Sequence, residues 1–451
     1  MVRPNPRVIF PAAGRLHGVI GLQCLVDGIP GSLGDLVIIH HPPAPPLPAE
    51  IVGFRGRQAV IMPLAHLDAI PPRAWVFGTG HPLRIPTGTA TLGRLLSGIG
   101  QPLDGGWPLY GPQTAVTTRP IPILDRGAIT VPFVTGVSLI DTCMTLGRGQ
   151  RVGIFAGAGV GKTTLIQQIL ADAQYDVAIV ALIGERGREA AEFWDRLPAS
   201  ARARMTTLVA TSDQPPLVRL RTLDVANRLA ETWRGQGADV LLVVDSMTRV
   251  AHAAREVGLT TGEAPTARGY PPSFFATLPR WFERAGVFRH GSITALYTIL
   301  LDADDPSEPV ADAVQGLLDG GVYLDRTRAE RHQFPAIDPV RSLSRLQPEL
   351  LPRAAWALTG KVRQAFVQAS DAKDLVAVGA YHEGNDPSLD RALAAVPAID
   401  AWARQSVSDH RSWTDSWTTL LQILRPFWPE DVAHAASSFV PDSQAPKEAT
   451  G

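Results

Sequence analysis

Residues 151–172 constrain this chain more than any other stretch. A short apolar run, Arg151 to Ala156, leads into Gly157-Ala158-Gly159-Val160-Gly161-Lys162-Thr163-Thr164, and the stretch TTLIQQILADA that completes the unit reads as a helix. Strand, glycine loop and helix in that order form a cradle. The glycines let backbone N–H groups turn inward on phosphates, and the helix N-terminus adds partial positive charge. In such a cradle Lys162 reaches the β- and γ-phosphates of ATP, and Thr163 offers its hydroxyl to Mg²⁺. Ala156 stands where the strict pattern has glycine, but Gly157, Gly159 and Gly161 still free the turn.

Further strand candidates share this near-continuous apolar character: Val177 to Ile183, Thr206 to Ala210, Asp239 to Val244 and Ser292 to Leu301, with helical stretches between them. Strands apolar on both faces belong to a sheet covered on both sides, so residues 84–345 read as a mostly parallel α/β core. Ahead of it, residues 1–83 hold short β-branched runs (Val19-Ile20, Val37-Ile38-Ile39, Ile51-Val52, Ala59-Val60-Ile61) punctuated by Gly and Pro. That texture is expected of a small antiparallel barrel or sandwich, and a β-barrel is the reading adopted. The proline-rich stretch HHPPAPPLP at 40–48 is expected to bridge two barrel strands. Its neighbours His40 and His41 point to opposite faces of an extended segment, which argues against a metal site. Beyond 345 the strand pattern stops. Residues 346–435 read as an all-α region, and 436–451, without a periodic apolar face, as a flexible tail.

Composition narrows the alternatives. A length of 451 residues allows two or three domains, and an apolar fraction of 45% supports real cores. Lys and Arg total 42 against 43 Asp and Glu, so no global field draws the chain to nucleic acid or anionic lipid. The two cysteines, Cys24 and Cys143, lie in no CxxC or Cys/His cluster and read as small buried residues of a protein in a reducing compartment. The longest apolar run, Val177 to Ile183, falls far short of the ~20 residues that span a bilayer, and MVRPNPRVIFPAAG lacks a signal-type apolar stretch. The expectation is a cytoplasmic chain that meets membranes only through partners and binds no nucleic acid.

Two carboxylates complete the phosphate chemistry. The run Val240 to Val244 ends on Asp245, where only the C-terminal tip of a buried parallel strand faces a ligand, so Asp245 is read as holding the metal's water shell; capping the next helix is its alternative role. At the end of the strand Val177 to Ile183 stands Gly184-Glu185-Arg186-Gly187-Arg188-Glu189. Glu185 is read there as the general base that polarises water in line with the γ-phosphate, with Arg186 beside it to neutralise phosphate charge or orient the carboxylate. Arg188 and Glu189 fit a solvated charge run better.

Six motifs in this order, GAGVGKT, LIGERGRE, LLVVDSMTR, GEAPTARGYPPSFFATLPRWFERAG, DDPSEPVADAVQGLLDG and FPAIDPVRSLSR, resemble the type III secretion ATPases of flagella and injectisomes, homologues of the catalytic subunits of rotary ATP synthases. VAVGAYHEGNDPSLDRAL at 376–393 extends the likeness toward residue 425. The resemblance implies an N-terminal β-barrel, a RecA-like P-loop core and a C-terminal α-helical domain, assembled as a homohexamer with ATP between subunits. It matches Lys162 and Thr163 to the P-loop, Glu185 to the catalytic glutamate, Arg186 to its neighbouring arginine and Asp245 to the metal-site aspartate. Arg345 matches the arginine finger that reaches the next subunit's γ-phosphate. Phe334 matches an aromatic that packs on adenine and is Tyr in many relatives. Export-gate and stalk or regulator proteins, exported proteins and their chaperones are the implied partners, with the ring held peripherally at the inner membrane face.

The chain departs from the family in places. Only seven residues precede Val8, where relatives usually carry a basic amphipathic segment that docks a regulator; a glycine-rich stretch is shortened to VFRHG; and Gly321 replaces a usual His. A rotary synthase catalytic subunit shares the P-loop, GER and finger motifs but differs from the GYPPSFF block. A Rho-type RNA translocase would want a basic, aromatic-studded platform that residues 8–83 lack. Non-hydrolysing scaffold subunits have Gln where this chain has Glu185. Val52-Gly53-Phe54-Arg55 and Met62-Pro63-Leu64 favour the flagellar machine over the injectisome. Asp302, Asp304, Asp305 and Glu308 put four carboxylates in one loop, which reads either as a solvated loop or, by resemblance to the matching loop of rotary relatives, as one that rings a central hole and receives a stalk with basic helix faces.

Overall fold

The computed structural model describes residues 13–66, 70–117, 120–301 and 308–439. Six strands come first: β1 (Ala13–Ile20), β2 (Gln23–Asp27), β3 (Asp35–His40), β4 (Leu47–Arg55), β5 (Gln58–Pro63) and β6 (Trp75–Pro82). They close into a barrel in the order β1-β2-β5-β4-β3-β6. Alternation explains the closure: Val37 and Ile39 of β3, Ile51 of β4, Ile61 of β5 and Val76 of β6 all point inward to one small core. Cys24 lies in the same core, and burial pushes its thiol up to about 11. The proline-rich stretch joins β3 to its antiparallel neighbour β4, as its composition requires.

The central sheet holds β7 (Arg94–Ser97), β8 (Arg151–Ala156), β9 (Val177–Ile183), β10 (Met205–Ala210), β11 (Asp239–Asp245), β12 (Ser292–Leu300), β13 (Gly320–Tyr323) and β14 (Leu343–Ser344). Their order is β14-β13-β8-β12-β11-β9-β10-β7, parallel along this path apart from β14, and the short strands Gly286–Phe288 and Arg126–Gly127 add antiparallel pairs beside β12. Every residue of β9 is buried. Ala178, Val180 and Leu182 pack into one core, whereas Val177, Ile179, Ala181 and Ile183 pack into another. That division is why the run reads as unbroken apolar: each face of the strand has its own helical cover.

Helix α1 (Lys162–Asp172) lies on the first face, and α2 (Gly187–Arg196) follows β9. On the second face lie α3 (Pro216–Gly235), α4 (Met247–Thr261), α5 (Pro272–Phe282) and α6 (Pro309–Gln315). The helical region, α7 (Arg353–Asp371), α8 (Pro387–Ala403), α9 (Trp413–Leu424) and α10 (Pro429–Ser438), shares the first core through Leu358, Ile399, Trp417 and Leu424. Helix α10 runs three residues past the limit of 435 expected from sequence, because buried Ala435 still faces the core and the Ser438 hydroxyl donates to the Ala435 carbonyl. Residues 440–451 of the expected tail lie outside the described residues.

The barrel is joined to the core by charge as well as by packing. The Arg221 guanidinium on α3 donates to the Glu50 carboxylate of β4 and to Asp224, whose other oxygen accepts from the Trp281 indole. Glu50 and Asp224 are buried, and these partners satisfy their carboxylate oxygens.

Candidate active site

The glycine loop sits at the C-terminal end of β8 and ends in α1. Gly159 and Gly161 have φ of +79° and +95°, a left-handed backbone that suits glycine, and Gly161 is the residue from which α1 starts. Gly159 is exposed, and no heavy atom lies within 4 Å of the place a Cβ on it would take. Thr163 and Thr164 are exposed in the first turn of α1.

Lys162 turns back across two neighbouring strand ends. Its Nζ lies 2.5 Å from Asp245 Oδ1 and 3.7 Å from Glu185 Oε1. Asp245 closes β11 with its side chain only 4% exposed, and it also accepts from the Thr298 hydroxyl of β12 at 2.8 Å. Burial pushes Glu185 up to about 7; the Lys162 ammonium opposes that rise, while Asp245 adds to it and Arg249 counters it. The sheet register brings these groups together, since β11 lies between β9 and β12. Asp245 does not cap α4; Ser246 does, accepting from the Arg249 N–H.

Arg186 is placed differently from the expectation. Its side chain is 81% exposed, its carboxylate neighbour is Glu189 at 4.0 Å, and it makes no contact with Lys162 or Asp245 among the described residues. It occupies the cap position of α2, where the chain turns away from the strand ends. Arg249 takes the inner position: its side chain packs so tightly on Gly184, at φ +73°, that a Cβ there would stand 2.8 Å from it. Arg249 follows Asp245 by one helical turn, a spacing that could have revealed it; Thr298 left no local signal at all.

Phe334 belongs to the same site. Its ring lies over Gly161, with Cε1 3.4 Å from where a Cβ would stand, and Arg326 of the same connection donates to the Ala158 carbonyl at 3.4 Å. Ala158 and Val160 complete the loop, Val160 buried beneath it.

Arg345 is at the other end of the sheet. Its backbone N–H donates to the Asp319 carbonyl, and the Asp319 N–H donates to the carbonyl of Arg151, the first residue of β8. The glycine loop begins past the far end of that strand, about 20 Å away at ~3.3 Å per residue. The Arg345 side chain is exposed and makes no ion pair among the described residues. It lines a groove with Tyr323 and Arg341, and the Tyr323 ring stacks on Phe155 at 4.5 Å.

The acidic loop divides. Asp302, Asp304 and Asp305 lie outside the described residues, whereas Glu308 does not join a carboxylate ring. It is buried as the cap of α6, accepting from the Val310 and Ala311 N–H groups at 2.9 Å each.

The chain is similar to known proteins along most of its length. Residues 136–344 match the ATP synthase alpha/beta family, nucleotide-binding domain, and residues 351–422 match the T3SS EscN ATPase C-terminal domain. The chain is 41% identical to a flagellum-specific ATP synthase of Salmonella typhimurium over 424 residues, covering 90% of this chain and 92% of the relative. It is 40% identical to a type 3 secretion system ATPase of Xanthomonas euvesicatoria over 423 residues, covering 92% and 94%. The assembled ATPase EscN of the enteropathogenic E. coli type III secretion system superposes with a TM-score of 0.86 at 36% identity, covering 91% of this chain and 100% of EscN. EscN in complex with its central stalk EscO superposes with a TM-score of 0.85. A closed barrel, a parallel nucleotide-binding sheet and a helical end shared along nine-tenths of the chain leave one conclusion: this chain is an ATPase of the family that comprises the flagellum-specific and type III secretion ATPases.

Proposed function

We propose that the chain hydrolyses ATP to energise protein export through a type III secretion apparatus, the flagellar one, as a homohexameric ring. The observation that carries the reading is the Lys162 ammonium held between the Asp245 and Glu185 carboxylates beside the glycine loop. The phosphates enter against the loop N–H groups and draw Lys162 onto their β- and γ-oxygens. Glu185, raised to about 7, is ionised in part at neutral pH and basic enough to take a proton from water. The oxygen of that water bonds to the γ-phosphorus, the bond to the ADP oxygen breaks, and ADP and phosphate leave.

The residues also fit Mg²⁺. The Thr163 hydroxyl and the Asp245 carboxylate are hard oxygen donors at the loop, as that cation requires. Bound there, Mg²⁺ supplies charge neutralisation at the β- and γ-oxygens. Phe334 offers its face to adenine; lacking the hydroxyl of a tyrosine, it keeps the stacking surface.

Arg345 supports assembly. It stands too far from its own glycine loop to act there, and the same end of the sheet exposes large apolar side chains. Ile123 and Leu124 are 84% and 83% exposed, and Trp107 is 86% exposed beside the start of β7. A neighbouring copy placed loop to finger would cover them and complete the site. The domain limits 1–83, 84–345 and 346–435 are retained as part of this reading. The central stalk of EscN suggests a stalk partner here; export-gate proteins, exported proteins and their chaperones complete the proposed partners. No helix among the described residues is long and apolar enough to cross a membrane, and the ring is proposed to sit at the inner membrane face through those partners.

The flagellar assignment rests on the barrel stretches at 52–55 and 62–64. Expression in a strain lacking its flagellar export ATPase should restore swimming, whereas expression in a strain lacking its injectisome ATPase should not restore secretion. Glu185→Gln should abolish the rescue while still binding ATP. Rescue of the injectisome alone overturns the flagellar assignment, and rescue by Glu185→Gln overturns the hydrolytic one.

A further inference from the structure

The loop at 404–412, between α8 and α9, touches the connection that carries Phe334 and the C-terminal end of α1. Its centre is Gln405, 5% exposed. The Gln405 N–H donates to the Phe334 carbonyl at 2.9 Å. Its side-chain oxygen accepts from the Ser138 N–H at 3.0 Å, and its side-chain nitrogen donates to the Gly136 and Asp409 carbonyls at 2.7 Å each. A buried amide with both ends bonded has one orientation, so the backbone at 405 is fixed relative to the core.

The rest of the loop reaches the end of α1 that lies away from the glycine loop. His410 pairs with Asp172, the last residue of the helix that begins at Lys162. Asp172 also packs against Gly136, where a Cβ would stand 2.4 Å from it. Arg411 donates to the Trp402 carbonyl at 2.8 Å, which ties the loop to α8, and Ser138 Oγ lies 3.0 Å from Ser416 Oγ, which ties α9 to the same core segment.

We propose that Gln405 is a positioning residue for the nucleotide base: by anchoring the backbone that holds the Phe334 carbonyl, it sets the Phe334 ring over Gly161, and so couples base binding to the seating of the helical region. This rests on the reading of Phe334 as the base-stacking face. The Phe334 carbonyl has no other hydrogen-bond donor among the described residues, so its place depends on where Gln405 is held. The amide acts on the base and not on the phosphates, because none of its bonds reaches Lys162, Glu185 or Asp245.

The test is steady-state hydrolysis by the full chain, comparing ATP with UTP, whose single-ring base offers less stacking face. Gln405→Met keeps the length of the side chain and removes its three hydrogen bonds. It should raise KM for ATP about 10-fold, the scale of lost buried hydrogen bonds, with kcat changed less than about 2-fold and KM for UTP less than about 3-fold. In a Phe334→Ala background the same substitution should add less than about 2-fold to KM for ATP, because the two act as one unit. If Gln405→Met does not fold, Gln405→Glu, which keeps the acceptor for Ser138, is measured in the same way. Equal rises for ATP and UTP, or an undiminished effect in the Phe334→Ala background, would overturn the inference. Phe334→Ala with an unchanged KM for ATP removes the base role of Phe334 and the inference with it; a Phe334→Ala defect that the Gln405 variants fail to reproduce overturns the inference alone.

Discussion

The two ends of the parallel sheet carry opposite kinds of charge chemistry. At the C-terminal end Lys162, Glu185 and Asp245 are drawn together, half-buried or buried, and satisfy one another. At the N-terminal end Arg345 stands exposed beside a groove at the β14 edge, and Ile123, Leu124 and Trp107 are exposed farther along the sheet, Trp107 beside the β7 edge. A single chain completes the first end and leaves the second unpartnered. The contrast teaches where the chain satisfies its own charges and where it does not: the desolvated charges at the C-terminal end are paired within the chain, and the exposed guanidinium at the other end is what the proposed trans role of Arg345 rests on.

Arg345→Ala offers the largest break. Loss of a finger should lower hydrolysis by about 10³–10⁵-fold while thermal stability stays within about 0.5 kcal/mol, as for an exposed side chain. Mixing Arg345→Ala with Lys162→Ala should recover some activity, because some neighbouring pairs then hold one intact loop and one intact finger. A mixture as inactive as its parts would place both residues in the same subunit's chemistry.

Glu185→Gln should lower hydrolysis by about 10²–10⁴-fold, with ATP affinity within a few-fold of wild type by equilibrium binding. Near-normal turnover would remove Glu185 from the role of base and return the C-terminal end to simple phosphate binding.

The pH profile sharpens the comparison with a smaller effect. Because Glu185 is raised from 4.5 to about 7, kcat/KM should climb with pH up to about 7 and level off above it; below the bend the climb is about 10-fold per pH unit. Stability should move the other way. The folded state favours the protonated acid, so its contribution is complete below 4.5 and is lost as pH rises through about 7. Glu185→Gln should flatten both curves, and Arg345→Ala should leave the bend in kcat/KM where it is. A bend that persists in Glu185→Gln would assign the titration to another group.

Smallest is the effect of the apolar patch. Replacing Ile123 and Leu124 by Ser should raise the protein concentration at half-maximal specific activity by about 5–10-fold, the scale of lost apolar burial on association, without lowering the melting temperature of the isolated chain. Unchanged concentration dependence would mean that a neighbour does not cover this end of the sheet.

Several features were legible without coordinates because they depend on residues close in sequence. The glycine loop declares itself through glycines whose left-handed backbone, at Gly159 and Gly161, other residues rarely adopt. Asp245 and Glu185 declare themselves by standing where buried strands run out, and β9 by an apolar run that both faces of a covered sheet demand. The role of Arg345 came from resemblance, since nothing in its own neighbourhood marks it as more than an exposed arginine.

Other features belong to the folded chain alone. Thr298 meets Asp245 only because β12 pairs with β11, and Gln405 meets Phe334 and Gly136 across 71 and 269 positions of chain. Arg186 looked like the partner of Glu185 because it is adjacent in sequence, yet adjacent side chains at a strand end diverge, and the turn into α2 sends it outward. Glu308 looked like one more charge of an acidic loop until the first turn of α6 claimed its carboxylate. By itself the sequence determined the backbone conformations and the burial of each strand, because sterics and hydrophobicity act over a few residues. The partners of each polar group were decided only by tertiary structure, because a hydrogen bond requires two atoms within about 3 Å, and only the packing of distant segments brings them there.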